Sequence, residues 1–150
     1  MHEGAFRVKT WISTCTDETE RFARQFAQTL KPGSVIALYG GLGRGKTAFV
    51  RGLARGLHST SEVSSPTFAL VHEYDGDMPI FHFDMYRIQS LDDLYSTGFF
   101  DYLEMRGVVV IEWSENVAQY LPDGVVEIHI DLTDRENERR FTIYDEDSCG

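Results

Sequence analysis

With 150 residues and a formal net charge of -10, the chain has length for one hydrophobic core and is too acidic to hold a phosphate backbone by overall charge. Hydrophobic residues make up 42% and aromatic residues 13%, enough to fill that core throughout. No apolar run reaches the ~20 residues of a bilayer span, and Met1–Thr10 has no secretory apolar stretch.

Cys15 and Cys149 lie far apart with no partner at metal-ligand spacing, as in a protein of the reducing cytoplasm. The expectation is one domain over residues 1–150, cytoplasmic and without a membrane partner. Arg135, Arg139 and Arg140 alternate with Asp134, Glu136 and Glu138, so they form no basic patch. Any nucleic acid is expected to be met through a partner protein.

In chain order, Phe6–Ile12 alternates like a half-exposed strand. Thr16-Asp17-Glu18 places acidic residues at a helix start, where the helix dipole favours them. Phe22, Ala23, Phe26, Ala27 and Leu30 recur at helical spacing, and Lys31-Pro32-Gly33 ends that helix. Val35–Tyr39 is a nearly continuous apolar run, the pattern of a strand covered on both faces.

Lys46 onward reads as a helix with Ala48, Phe49, Leu53, Ala54 and Leu57 inward, and Ser59–Thr67 as a polar loop. Phe68–Tyr74 and Ile80–Asp84 are two strands joined at Asp75-Gly76-Asp77. Ser90–Arg106 is two short helices broken at Gly98. Val108–Ile111 is a second wholly apolar strand ending in Glu112. Val125–Leu132 and Arg139–Tyr144 form a closing hairpin, and Asp145–Gly150 is expected to fray. The fold class is α/β: a P-loop-like three-layer domain whose central sheet is mostly parallel, with antiparallel additions.

The strongest chemical signal is Gly40-Gly41-Leu42-Gly43-Arg44-Gly45-Lys46-Thr47, which satisfies G-x-x-x-x-G-K-[ST] between an apolar strand and an amphipathic helix. Glycines let backbone N–H groups converge on phosphate oxygens, and the helix N-terminus adds partial positive charge there. Lys46 is expected to reach toward the β- and γ-phosphates instead of packing in the core, and the Thr47 hydroxyl to ligate Mg²⁺. Such a loop also needs a carboxylate at the end of a neighbouring strand. Glu112 and Asp84 both qualify; one would hold the metal and the other orient the attacking water, and spacing leaves the roles open.

Taken together, Gly40–Thr47, Ser65-Pro66-Thr67-Phe68, His82-Phe83-Asp84-Met85-Tyr86-Arg87, Glu112-Trp113-Ser114-Glu115 and Leu121-Pro122 resemble the TsaE (formerly YjeE) family. These are ATPases of bacterial threonylcarbamoyl-adenosine tRNA modification. The resemblance covers nearly the whole chain, and the combination of motifs in this order is far more specific than the glycine-rich loop alone. It implies ATP and Mg²⁺ as cofactors and the TsaB–TsaD complex as partner, with tRNA met only through that complex. It also implies a slow ATPase that resets the complex between turnovers.

By motif, Leu42, Gly43, Arg44, Gly45, Lys46 and Thr47 would cradle the phosphates, Thr47 and Glu112 would hold the metal, and Asp84 would serve hydrolysis. Residues just before the first helix, in the region of Thr16, would lie near the adenine. Gly41 stands where the family commonly has an acidic residue, and Arg44 where it has a small one; neither change removes a phosphate ligand.

A small-molecule kinase is the competing reading, with Asp134–Arg140 as its only arginine-bearing candidate lid. A guanine-specific enzyme is disfavoured, because none of Lys9, Lys31 and Lys46 is followed by x-Asp as N/T-K-x-D requires.

Overall fold

The structure, a computed structural model, describes residues 6–40, 45–64 and 70–146. Seven strands form one sheet in the order β1-β7-β6-β2-β5-β4-β3. They are β1 (Phe6–Ser13), β2 (Val35–Tyr39), β3 (Val71–Tyr74), β4 (Ile80–Asp84), β5 (Val108–Glu112), β6 (Val126–Leu132) and β7 (Arg139–Glu146). The centre is parallel, with β2 between β5 and β6 and β4 beside β5. The additions are antiparallel: β3 on β4, β7 on β6 and β1 on β7.

The helices are α1 (Thr16–Phe26), α2 (Gly45–Gly56), α3 (Leu91–Ser96) and α4 (Phe99–Glu104). Strand alternation sends Ile36, Leu38, Ile80, Val108 and Val110 to the face covered by α1 and α2, where they meet Ala23, Phe49 and Leu53. Val35, Phe81, Phe83, Val109 and Ile111 face the other way, onto Leu94 of α3 and Phe99 of α4. The three-layer arrangement follows from this division, and the apolar runs of β2 and β5 are the strands buried on both faces.

The last turn of α1 continues as a 3-10 turn over Ala27–Thr29, and Gly33 then turns the chain at φ 95° into β2. Gly98, at φ 79°, makes the break expected between α3 and α4. Of the segment expected to fray, Asp145 and Glu146 instead belong to β7 and pair in register with Arg7 and Phe6 of β1, while residues 147–150 lie outside the described residues. The edge strand β1 supplies the partner that an isolated hairpin end would lack.

Close packing of α1 on α2 sets the geometry of the site. A Cβ at Gly52 would lie 2.3 Å from the Glu20 carbonyl oxygen, and one at Gly56 would lie 2.6 Å from Ala27 Cβ, so these glycines let the helix backbones approach. An aromatic cluster then locks β1, α1, α2 and β7 together: Trp11 stacks on Phe22 at 4.1 Å between centroids, and Phe49 meets Phe22, Phe26 and Phe141 within 6.4 Å. Each fully buried ring contributes about 1.5–3 kcal/mol. The start of α2 is thereby fixed against the start of α1, beyond the carboxyl end of β2.

Candidate active site

β2 ends at Tyr39, and Gly40 turns out of it at φ 141°, where a Cβ would lie 2.6 Å from the Ile130 carbonyl oxygen. The Gly40 N–H donates to the Glu115 carboxylate at 3.3 Å, tying the start of the glycine-rich turn to the Glu112–Glu115 segment. Gly45 opens α2, with Lys46 buried and Thr47 half-buried beside it. Leu42, Gly43 and Arg44, like Gly41 and Ser65–Phe68, lie outside the described residues.

Because side chains alternate, His82, Asp84 and Glu112 share the sheet face of Ile80, Val108 and Val110, the face that α2 covers. Asp84 and Glu112 are in register across the β4–β5 pair, at the carboxyl ends of adjacent parallel strands. Both candidate carboxylates therefore stand together on the side of Lys46, the arrangement expected for ligand sites in open α/β sheets.

Their environments differ. Glu112 is 5% exposed and its Oε2 lies 2.5 Å from Nε2 of the fully buried His82. Asp84 is half-buried, and its Oδ1 accepts the Tyr86 backbone N–H at 2.9 Å. Burial raises the Asp84 carboxyl above its ordinary value and the Glu112 charge adds to this, while the Tyr86 hydrogen bond, His82 and Lys46 oppose it.

Lys46, expected to reach toward phosphate instead of packing in the core, is a buried residue, 4% exposed, with Nζ 4.6 Å above the centre of the Trp113 ring. Trp113 has φ 59°, a left-handed conformation that a bulky residue adopts only when its surroundings enforce it. Tyr86 meets the same ring edge-on at 4.9 Å, so the Tyr86-Arg87 and Glu112-Trp113 motifs converge under the lysine. Arg87 itself is exposed.

On the other side of α2, a cleft of about 280 Å³ is lined by Ser13–Thr16 and Thr19 from the start of α1, Gly45 and Ala48 from α2, and Asn137 and Arg139 from the hairpin. Thr16, expected on the adenine side, lines this cleft. Glu18 fixes this edge by accepting both the backbone N–H and the hydroxyl of Thr14 at 2.7 Å. The Ser13 and Thr19 hydroxyls pair beneath it at 2.7 Å. Residues 133–138 form the β6–β7 turn and Arg139 and Arg140 open β7, with the Arg139 guanidinium donating to the Glu136 and Glu138 carbonyls.

The polar loop after α2 is anchored at its start. Asp75 accepts the hydroxyls of Ser59, Thr60 and Ser61, which holds its carboxyl well below the usual carboxylate range. In the sequence Asp75 reads only as a turn residue and His82 only as part of the motif that ends in Arg87; the contacts of Tyr74 and His82 are set by strand register.

The donor set suits a magnesium–nucleoside triphosphate: a lysine and a helix N-terminus for phosphate, and a threonine and one or two carboxylates for a metal that draws its remaining ligands from phosphate and water. Among the described residues no cluster of three or more His, Cys, Asp or Glu side chains forms an all-protein metal cage.

The TsaE family model, described as threonylcarbamoyl adenosine biosynthesis protein TsaE, matches residues 13–141. The chain belongs to the TsaE family. It is 41% identical over 119 residues to the tRNA threonylcarbamoyladenosine biosynthesis protein TsaE of Treponema pallidum, covering 79% of this chain and 88% of that one. The TsaE protein of Bacillus subtilis is 39% identical over 134 residues, with 88% and 84% covered. The crystal structure of Bacillus subtilis YdiB superposes with a TM-score of 0.79 at 32% identity, covering 97% of this chain and 90% of that one. The TsaE match spans every element from the end of β1 to the first residues of β7, and so includes the cleft, the start of α2 and both carboxylates. Among the described residues no helix is long and apolar enough to cross a membrane.

Proposed function

We propose that this TsaE-family chain is a Mg²⁺-dependent ATPase of the cytoplasm, required for threonylcarbamoyl-adenosine modification of tRNA and acting with the TsaB–TsaD complex. Residues 1–150 would work as one P-loop domain. The observation that carries the reading is the placement of Gly45-Lys46-Thr47 at the start of α2, on the sheet face where Asp84 and Glu112 stand in register.

In this reading Leu42–Thr47 cradle the triphosphate and Lys46 neutralises its charge. Thr47 and Glu112 hold Mg²⁺, which when bound screens the phosphate oxygens and orients them. Thr16 lies on the adenine side, in the cleft between α1 and the β6–β7 turn. Asp84, more exposed than Glu112 and without the hydrogen bond to His82 that Glu112 makes, orients the attacking water. The acidic surface argues against direct tRNA binding, so useful work comes from coupling hydrolysis to a partner's conformational equilibrium.

Glu112→Gln tests the metal assignment. Nucleotide affinity measured in EDTA is expected to stay near wild type, while the gain produced by Mg²⁺ falls by about tenfold or more. An unchanged Mg²⁺ response in the folded variant would remove Glu112 from the site.

A further inference from the structure

The Glu112 carboxylate is one end of a buried polar chain that runs across β5, β4 and β3 to the loop after α2. His82 Nε2 faces Glu112 Oε2 at 2.5 Å, and His82 Nδ1 faces the Tyr74 hydroxyl at 2.9 Å. The Tyr74 hydroxyl donates to the Ser64 carbonyl at 2.8 Å. His82 is wholly buried and Tyr74 is 4% exposed, so water does not replace these contacts. His72, opposite His82 in the β3–β4 pair, places its Nδ1 3.1 Å from the same Ser64 carbonyl at the exposed end.

Ser64 is joined directly to the Ser65-Pro66-Thr67-Phe68 motif. Upstream, Ser59–Ser61 are pinned by Asp75.

We infer that His82 is a positioning residue that orients the Glu112 carboxylate, and that Tyr74 links this orientation to the position of the Ser64 end of the loop. The inference rests on the reading of Glu112 as a magnesium ligand. A histidine held on both ring nitrogens cannot follow one partner without disturbing the other. Repositioning of Glu112 on metal binding is therefore felt at Ser64, and a partner that moves the loop alters the carboxylate in return.

The test uses Tyr74→Phe, which removes one hydroxyl and keeps the ring, and His82→Leu, which keeps the volume near that of the histidine. Affinity for a fluorescent ATP analogue is measured in EDTA and across a Mg²⁺ titration. Hydrogen exchange of the Ser59–Ser64 amides is followed with and without the Mg²⁺–nucleotide.

Both variants are expected to keep the EDTA affinity. The Mg²⁺ midpoint should rise about tenfold to a hundredfold in His82→Leu and roughly twofold to tenfold in Tyr74→Phe. The wild-type change in loop exchange on adding Mg²⁺–nucleotide should be lost in Tyr74→Phe. A merely structural defect would weaken the EDTA affinity as well. Should His82→Leu not fold, Tyr74→Phe alone decides. Wild-type Mg²⁺ midpoints and an intact loop response, alongside an impaired Glu112→Gln, would overturn the relay and leave the metal assignment standing. An unimpaired Glu112→Gln would overturn both.

Discussion

Asp84→Asn is expected to bind Mg²⁺–ATP and to hydrolyse it about 10²–10⁴-fold more slowly. Asparagine keeps the oxygen that accepts the Tyr86 N–H but cannot draw a proton from an attacking water. The substitution should not cost stability. Burial, and then the Glu112 charge, raise the Asp84 carboxyl above its ordinary value of 3.8. The fold thus prefers the protonated form. The stability this group contributes is complete below the ordinary value and is lost as pH rises through the raised one. At neutral pH the ionised Asp84 is a net liability that the neutral amide removes. Thermal unfolding of nucleotide-free Asp84→Asn at pH 7 should therefore occur at or above the wild-type temperature, while phosphate release collapses. Normal hydrolysis would exclude Asp84 from the chemistry. Loss of Mg²⁺–ATP binding in Asp84→Asn, with a Glu112→Gln that binds Mg²⁺–ATP and fails to hydrolyse it, would exchange the roles of the two carboxylates.

Lys46→Ala is expected to weaken ATP binding by tenfold to more than a hundredfold, since a charge-assisted contact to phosphate is worth roughly 1.5–3 kcal/mol. The buried position of Lys46 over Trp113 adds a structural question, because the alanine also removes the stem that covers the indole. Lys46→Met separates the two effects: it restores the apolar stem without the charge and should bind ATP as poorly as the alanine. Calorimetric titration of both variants, with far-ultraviolet circular dichroism as the check on folding, decides the matter. Unchanged affinity in a folded variant would contradict the phosphate assignment.

The parts of this molecule legible in its sequence are those governed by local pattern. β2 and β5 were visible because a strand covered on both faces is apolar at every position, and Glu112 was visible because it ends such a run. The start of α2 was visible because phosphate recognition demands glycines and a lysine at fixed spacing. β4 was harder to read because His82 interrupts its apolar run. That interruption is a buried polar residue satisfied at both ring nitrogens, by partners that lie 8 and 30 residues away in sequence.

Non-local pairing also hid the other features. Asp75 looks like an ordinary turn residue until the fold brings Ser59–Ser61 onto it. Trp113 gives no sign of its left-handed backbone or of the lysine above it. Asn137 and Arg139 border the cleft beside α1 only because the β6–β7 turn reaches the first turn of that helix. The pairing of Asp145 and Glu146 with β1 was likewise invisible, since the two ends of the chain carry no shared local pattern.

Whether this chain spends ATP on water in the service of a partner complex is read from steady-state phosphate release by the protein alone and after addition of purified TsaB–TsaD. Slow release alone and a clear rise with the complex, abolished in Asp84→Asn, is the expected result. No response to the complex, together with rapid transfer of the γ-phosphate to a small metabolite, would contradict it and establish a kinase.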